Sequence, residues 1–402
     1  MTNDNHLGDW GTQFGMIIAA IEQESRSKSQ ELRIPRSVGE LEDLYVDFNK
    51  RIEIDETLLE KAREAFARLE NGDMGTRGIW QKAYDVSMKD FEELYQKLGV
   101  AKFEHQNGES VYEKMMPAII KECQEKKIAR LSEGASIVEF PNMPPAILVK
   151  SNGTTTYFTR DLATIRKRLD EADLQADLYI YEVGVEQTLH FRQVFSAAKR
   201  LWPEDLAKVE LVHVAHGRLS LPEGKMSTRK GNTIKLEDLI FRAGEEAKDE
   251  VIGLGAVKYN ELKRSPIMNY VFKWEEALNM EGNSAPYLMY AYVRTRSVLA
   301  KASESQESRV KSQELNEDER GMMRWLVRFG EGEIVESAAR NFAPQQMCTY
   351  LFELAQRFNG FYERNKVIGG ENEVLRLLIV KETGKVIKKG LRLLGIEVPE
   401  KM

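Results

Sequence analysis

A strand–helix–strand succession limits most strongly what this chain can fold into. Asp177-Leu178-Tyr179-Ile180-Tyr181-Glu182-Val183-Gly184 reads as a buried strand running into a glycine turn. Gln187 to Leu201 reads as a helix, and Val209 to Ala215 as a second strand. Strands joined through a helix imply a parallel sheet, whose ligands bind beyond the carboxyl ends of the strands. Gly184, Gln187 and His190 fall at one such end, and His216-Gly217 closes the second strand. A lone histidine in a helix is more often structural, so His190 carries less weight than Gln187.

The stretch after the second strand is Gly224-Lys225-Met226-Ser227-Thr228-Arg229-Lys230-Gly231-Asn232, ahead of a helix from Leu236. A glycine-bounded loop can move. Its cations and hydroxyls can neutralise and hydrogen-bond a polyphosphate, although a solvated basic turn has the same composition. The formal charge of −6 argues against indiscriminate coating of nucleic acid and still permits a local basic surface.

At 402 residues the chain is long enough for two or three domains. Glycines 8, 11 and 15 predict a tight turn into an apolar helix from Met16 to Ile21. From Pro35 to about Gly99 the apolar stripe Val38, Leu41, Leu44, Phe48, then Leu58, Ala62, Ala65, Leu69, then Trp80, Tyr84, Met88 predicts core-facing helices. Phe103 to Gln106 reads as a short strand, with a helix from Ser110 that Glu109 suits as an end charge. Ala146–Val149 and Thr154–Phe158 read as a hairpin around Ser151-Asn152-Gly153. Thr159 is the expected N-cap of a helix through Leu169 with Asp161 in its first turn; Asp161 either complements that helix end or, with Tyr157, lines a pocket. A second apolar-faced helix from Gly253 to Lys263 and a connector from Phe272 to Gly282 precede an all-helical remainder, with a polar loop from Ser303 to Gln313. Cys123 and Cys348 stand apart without zinc-ligand spacing, so buried free thiols and no metal site are expected. No apolar run reaches spanning length and the N-terminus lacks signal-peptide character, which places the protein in the cytoplasm.

Lys225-Met226-Ser227 resembles the Lys-Met-Ser-Lys-Ser loop of class I aminoacyl-tRNA synthetases, departing at Thr228, where Arg229 and Lys230 can supply the charge. Leu7-Gly8-Asp9-Trp10-Gly11-Thr12-Gln13-Phe14-Gly15 is similar to the block that follows the first ATP-binding motif of arginyl-tRNA synthetases. Gly108-Glu109-Ser110, Thr156-Tyr157-Phe158-Thr159-Arg160-Asp161-Leu162-Ala163 and Val183 to Gln193 resemble further blocks of that family in the same order. Tyr350 to Tyr362 and Gly384 to Met402 resemble its anticodon-binding bundle.

The resemblance implies an α/β fold: an incomplete Rossmann-like catalytic domain over residues 1–264, with a helical insertion at about 35–100 and a mobile ATP loop at 224–232. A connector at 265–282 and an all-α anticodon-binding domain at 283–402 follow. It implies an arginine–tRNA ligase using ATP and Mg²⁺, with Lys225, Arg229 and Lys230 as catalytic cations. ATP binding falls to these with Gly184, His190, Gly217, Met226 and Ser227, and arginine binding to Glu109, Tyr157, Asp161 and Gln187. The family's His-X-Gly-His turn is expected upstream of Met1. Three forms therefore stand open: a truncated synthetase, a non-catalytic tRNA-binding module, and one half of a split enzyme completed by a separate N-terminal fragment. Partners are arginine and its tRNA isoacceptors, with no membrane.

Overall fold

The computed structural model of the chain describes residues 1–28, 34–220, 235–303, 314–330 and 332–402. Among these, one compact unit runs from Met1 to Ala215 and a second from His216 to Met402.

The first unit opens with four helices, α1 (Thr12–Lys28), α2 (Val38–Ile52), α3 (Thr57–Glu70) and α4 (Met74–Lys97). Ser37 accepts from the Glu40 amide and Asp73 from the Thr76 amide, so both α2 and α4 begin at a side-chain cap. Phe48, Leu58, Ala62, Ala65, Leu69 and Ile79 bury the expected stripe against Trp10 and Ile18. Helix α1 starts at Thr12, earlier than the apolar run suggested, which brings Gly15 inside it. A Cβ on Gly15 would lie 2.2 Å from the Ala62 carbonyl oxygen, so glycine there allows α1 and α3 to touch.

Helix α5 (Met116–Glu125) leads into an antiparallel meander of β1 (Ala129–Ser132), β2 (Ala135–Phe140) and β3 (Met143–Val149). The hairpin expected of residues 146–158 is not what forms: β3 pairs with β2. Across the turn at Ser151-Asn152-Gly153 only an isolated bridge joins Val149 to Thr155. Tyr157 and Phe158 instead open α6 (Tyr157–Asp170). The hydroxyls of Thr156 and Thr159 donate to the carbonyls of Ile147 and Leu148, tying α6 to β3 through side chains rather than a ladder. The strand expected at Phe103–Gln106 is reduced to a bridge between Asp4 and His105. Glu109–Tyr112 forms a single 3-10 turn, not the start of a long helix.

The strand–helix–strand unit forms as read: β4 (Leu178–Gly184), a 3-10 turn at Val185–Gln187, α7 (Thr188–Leu201) and β5 (Glu210–His216), with β4 paired to β5. Phe158, Leu162 and Ile165 of α6 meet Val194 and Ala197 of α7, Leu148 and Tyr181 in one core. Each such side chain contributes roughly 1.5–3 kcal/mol by leaving water.

In the second unit β6 (Leu219–Ser220) pairs in parallel with β7 (Tyr270–Val271). Helices α8 (Leu236–Ala247), α9 (Glu250–Leu262) and the short α10 (Trp274–Ala277) surround a small core that includes Phe272, so the stretch expected as a bare connector is partly structured. Asp249 caps α9 by accepting from the Ile252 amide, which starts the helix ahead of Gly253. The bundle comprises α11 (Ala285–Ser303), α12 (Glu317–Gly330), α13 (Glu333–Arg340), α14 (Pro344–Arg364) and α15 (Glu373–Leu393). The Tyr259 hydroxyl bonds to Asn283 and the Cys348 carbonyl, fastening α9 to the bundle. Cys123 and Cys348 are buried free thiols, and burial pushes both up to about 12. The polar loop expected at 303–313 lies, from residue 304, outside the described residues. No described helix is long and apolar enough to cross a membrane.

Candidate active site

Helix α6 carries the site. Its first residue, Tyr157, and Asp161 are one turn apart and share a face, whereas Thr159 and Arg160 turn inward. Thr156 occupies the N-cap position, so the cap expected at Thr159 is a correction. Thr159 is wholly buried, its hydroxyl spent on Leu148.

Asp161 Oδ2 lies 2.5 Å from His190 Nε2 in the first turn of α7. The next residue, Phe191, stacks on His213 at 4.7 Å and packs on Tyr181, which seats that turn over β4 and β5. Gln187 precedes His190 by three residues and is exposed, and Tyr157 is 57% exposed. The opening turns of α6 and α7 thus meet at the Asp161–His190 bond, with Tyr157 opening α6 and Gln187 just ahead of α7. His190, expected to face a nucleotide, is joined to the carboxylate expected to hold arginine.

Glu109 sits differently. Its carboxylate takes a 3.0 Å bond from Arg160 Nη1, and Arg160 Nη2 donates to Glu113 at 2.9 Å. The Arg160 guanidinium also lies 5.4 Å from the Tyr157 ring centre, and its buried Nε has no partner among the described residues. The glutamate expected to meet a substrate guanidinium therefore already holds one of the chain's own. Its neighbours explain the rest of that block: Asp9 accepts from the Ser110 amide at 2.9 Å and hydroxyl at 2.6 Å, and a Cβ on Gly108 would lie 2.5 Å from the Asp9 carboxylate. Reading each block separately missed Asp9, Glu113 and Arg160. The signal lay in Arg160 standing beside Asp161, two opposite charges on successive helical positions that must face different ways.

Burial pushes the Glu109 carboxyl up to about 7; Arg160 opposes this, and the charges of Asp161, Asp9 and Glu113 add to it. The folded chain then keeps this proton between about pH 4.5 and 7, where the unfolded chain has released it. Stability falls as pH rises through that window. Glu109→Gln removes the titration and leaves Arg160 its bond to Glu113. The difference in unfolding free energy between variant and wild type should move in the variant's favour from pH 5 to pH 8. Parallel denaturation profiles over that range would contradict the assignment.

A cavity of about 1160 Å³ opens beside Tyr157 and Arg160, lined also by Gln13, Glu70, Glu113 and Lys150. Asp161, Gln187 and His190 are not among its lining residues. Gly184 ends β4. Gly217, in the second unit, donates its amide to the Pro266 carbonyl, and a Cβ there would meet the Met268 carbonyl oxygen at 2.3 Å. The space that glycine leaves is thus filled by the chain's own backbone. Lys225, Met226, Ser227, Arg229 and Lys230 lie outside the described residues.

Comparison with known proteins adds a second line of observation. Residues 1–251 match the family described as tRNA synthetases class I (R), catalytic domain, and residues 288–402 match the DALR anticodon binding domain. The chain is 37% identical to the arginine–tRNA ligase of Halothermothrix orenii, over 99% of its own length and 72% of that protein. It is 36% identical to that of Chloroflexus aggregans over the same shares. Among solved structures, the arginyl-tRNA synthetase of Plasmodium falciparum superposes with a TM-score of 0.82 at 27% identity, covering all of this chain and 70% of that one. The Thermus thermophilus arginyl-tRNA synthetase shares the fold with a TM-score of 0.79 at 22% identity, covering 99% of this chain and 75% of that one.

Proposed function

We propose how this chain works from one premise: it belongs to the arginyl-tRNA synthetase family of class I aminoacyl-tRNA ligases. Its reaction is the ligation of arginine to tRNA, with ATP as the energy source. The arginine carboxylate attacks the α-phosphate of ATP, giving arginyl-adenylate and releasing pyrophosphate. A hydroxyl of the terminal tRNA ribose then takes the arginyl group and AMP leaves.

In our reading the arginine side chain lies along Tyr157, with its guanidinium on Asp161 and Gln187. The observation that carries it is the pairing of Asp161 with His190, which brings two helix openings to a single half-buried carboxylate. A planar, paired set of N–H donors matches two carboxylate oxygens better than a point charge does. Glu109 stands apart from this wall, paired with Arg160, and is not free to take the substrate guanidinium. Lys225, Arg229 and Lys230 are assigned to the β- and γ-phosphates on the resemblance of their loop, where positioning and charge stabilisation supply most of the rate. Gly184, Met226 and Ser227 are assigned to the nucleotide on the resemblance of their blocks, whereas Gly217 is not, because the chain's own backbone fills the space beside it. We assign Mg²⁺ to the phosphates of ATP on the resemblance to the family.

We assign residues 1–264 to activation, 265–282 to the connection and 283–402 to the tRNA anticodon, with the cytoplasm as the working compartment. Trp325 supports the tRNA assignment. It stacks on Tyr350, and the guanidinium groups of Arg328 and Arg357 lie 4.4 and 4.3 Å from its ring centre, an aromatic and cationic cluster suited to unpaired bases and phosphates.

Arginine-dependent exchange of labelled pyrophosphate into ATP tests activation. The chain spans 72% of the length of the arginine–tRNA ligases it matches, so the assay is run alone and with a fragment of a relative carrying the His-X-Gly-His turn. Exchange in either arm supports the reading, and exchange only with the fragment identifies a split enzyme. tRNA binding without exchange in both arms favours a binding module.

A further inference from the structure

The bond between His190 and Asp161 has a consequence beyond bringing two helices together. An ionised carboxylate only accepts hydrogen bonds, so His190 Nε2 carries the proton and donates it to Asp161 Oδ2 at 2.5 Å. The ring is held in turn. It lies edge-on to Phe191 at 5.4 Å; Phe191 stacks on His213, whose Nε2 bonds to the Val183 carbonyl at 3.0 Å. A chain of contacts therefore runs from β4 through two rings to the imidazole and on to the carboxylate.

The terminal torsion of an aspartate is broad and two-fold, so a free carboxylate samples many planes. A guanidinium recognises one: it needs both oxygens coplanar with its own N–H fork. Among the described residues Asp161 Oδ1 takes no hydrogen bond, and Oδ2 keeps a second lone pair beside the one that His190 uses. We propose that His190 is a positioning residue for arginine recognition, fixing the plane of Asp161 so that Oδ1 and the open lone pair of Oδ2 face an incoming guanidinium. This rests on the reading that Asp161 receives that group, and it replaces the nucleotide-facing role expected for His190.

The test is calorimetric titration of the full chain with arginine and, separately, with ATP, for wild type, His190→Leu and His190→Gln. Glutamine places an N–H donor near the position of Nε2, whereas leucine removes it. His190→Leu should weaken arginine binding about tenfold, His190→Gln should restore it to within about twofold, and ATP affinity should stay unchanged in both. A wild-type chain that does not bind arginine overturns the underlying reading, and this inference with it. Wild-type binding with three other outcomes overturns the inference alone: His190→Leu as tight as wild type, His190→Gln as weak as His190→Leu, or arginine and ATP affinities falling together.

Discussion

Asp161→Asn weakens arginine binding about 100-fold, a loss of ~2.8 kcal/mol, while leaving the fold intact. The magnitude follows from what the substitution does to the wall formed by α6 and α7. The carboxylate is about one-fifth exposed and, beside its bond to His190, offers its charge to an incoming cation. An amide keeps the shape and loses the charge, and one of its two polar groups becomes a donor facing donors. Discrimination against ligands lacking the guanidinium falls by the same measure, because the site's selectivity lies in the unpaired acceptor it leaves behind when the wrong side chain enters. Calorimetry with arginine and with lysine reads both effects. Equal arginine affinity in variant and wild type would remove Asp161 from recognition. Glu109→Gln is the informative companion. Its carboxylate is already bound to Arg160, so its substitution should cost arginine affinity much less than that of Asp161.

The second large effect is on stability, in the bundle. Glu319 is fully buried on α12 and meets Arg376 of α15, whose Nε donates to it at 2.8 Å. The other half of the guanidinium donates to the Lys366 carbonyl at 2.9 Å. Glu319 also accepts from the Asn316 amide at 3.0 Å, and its own amide donates back to the Asn316 side chain at 2.8 Å, a reciprocal cap at the start of α12. A buried, hydrogen-bonded ion pair contributes little net stability when compared with apolar packing, but removing one partner strands the other charge. Glu319→Ala should therefore destabilise the second unit by about 3–5 kcal/mol. Urea unfolding followed by fluorescence, in a background where Trp325 is the sole tryptophan left of the five, reads this. A loss below about 1 kcal/mol would mean that water reaches Arg376 in the variant.

Much of this molecule was legible in its residues, for reasons that differ by region. The helices of the first unit carried apolar positions at helical spacing and real caps at Ser37 and Asp73, so pattern and local chemistry agreed. The α6 start was misread because Thr154 to Phe158 has the branched and aromatic character of a strand. The tertiary bonds of Thr156 and Thr159 to β3 overrode that preference. Helix α13 went unread because it is only eight residues long and buries no side chain fully, although Ile334 and Val335 on it pack against the bundle core. In the site, Tyr157, Asp161 and Gln187 were named from blocks that resemble a family, and spacing alone ranked them no higher than helix-end residues. What no single block contained was the partnership between blocks: Asp161 with His190, Glu109 with Arg160, Asp9 with Ser110. Each joins residues separated by between 29 and 101 positions, and only folding brings them within bonding distance.

A crystal structure of the chain with arginine bound decides where recognition happens. The guanidinium is predicted within about 3 Å of the Asp161 carboxylate, coplanar with it, with the aliphatic stem against Tyr157 and the His190 bond kept. Density that places the guanidinium on Glu70 and Glu113 in the neighbouring cavity, with Asp161 bound to His190 alone, would contradict that placement.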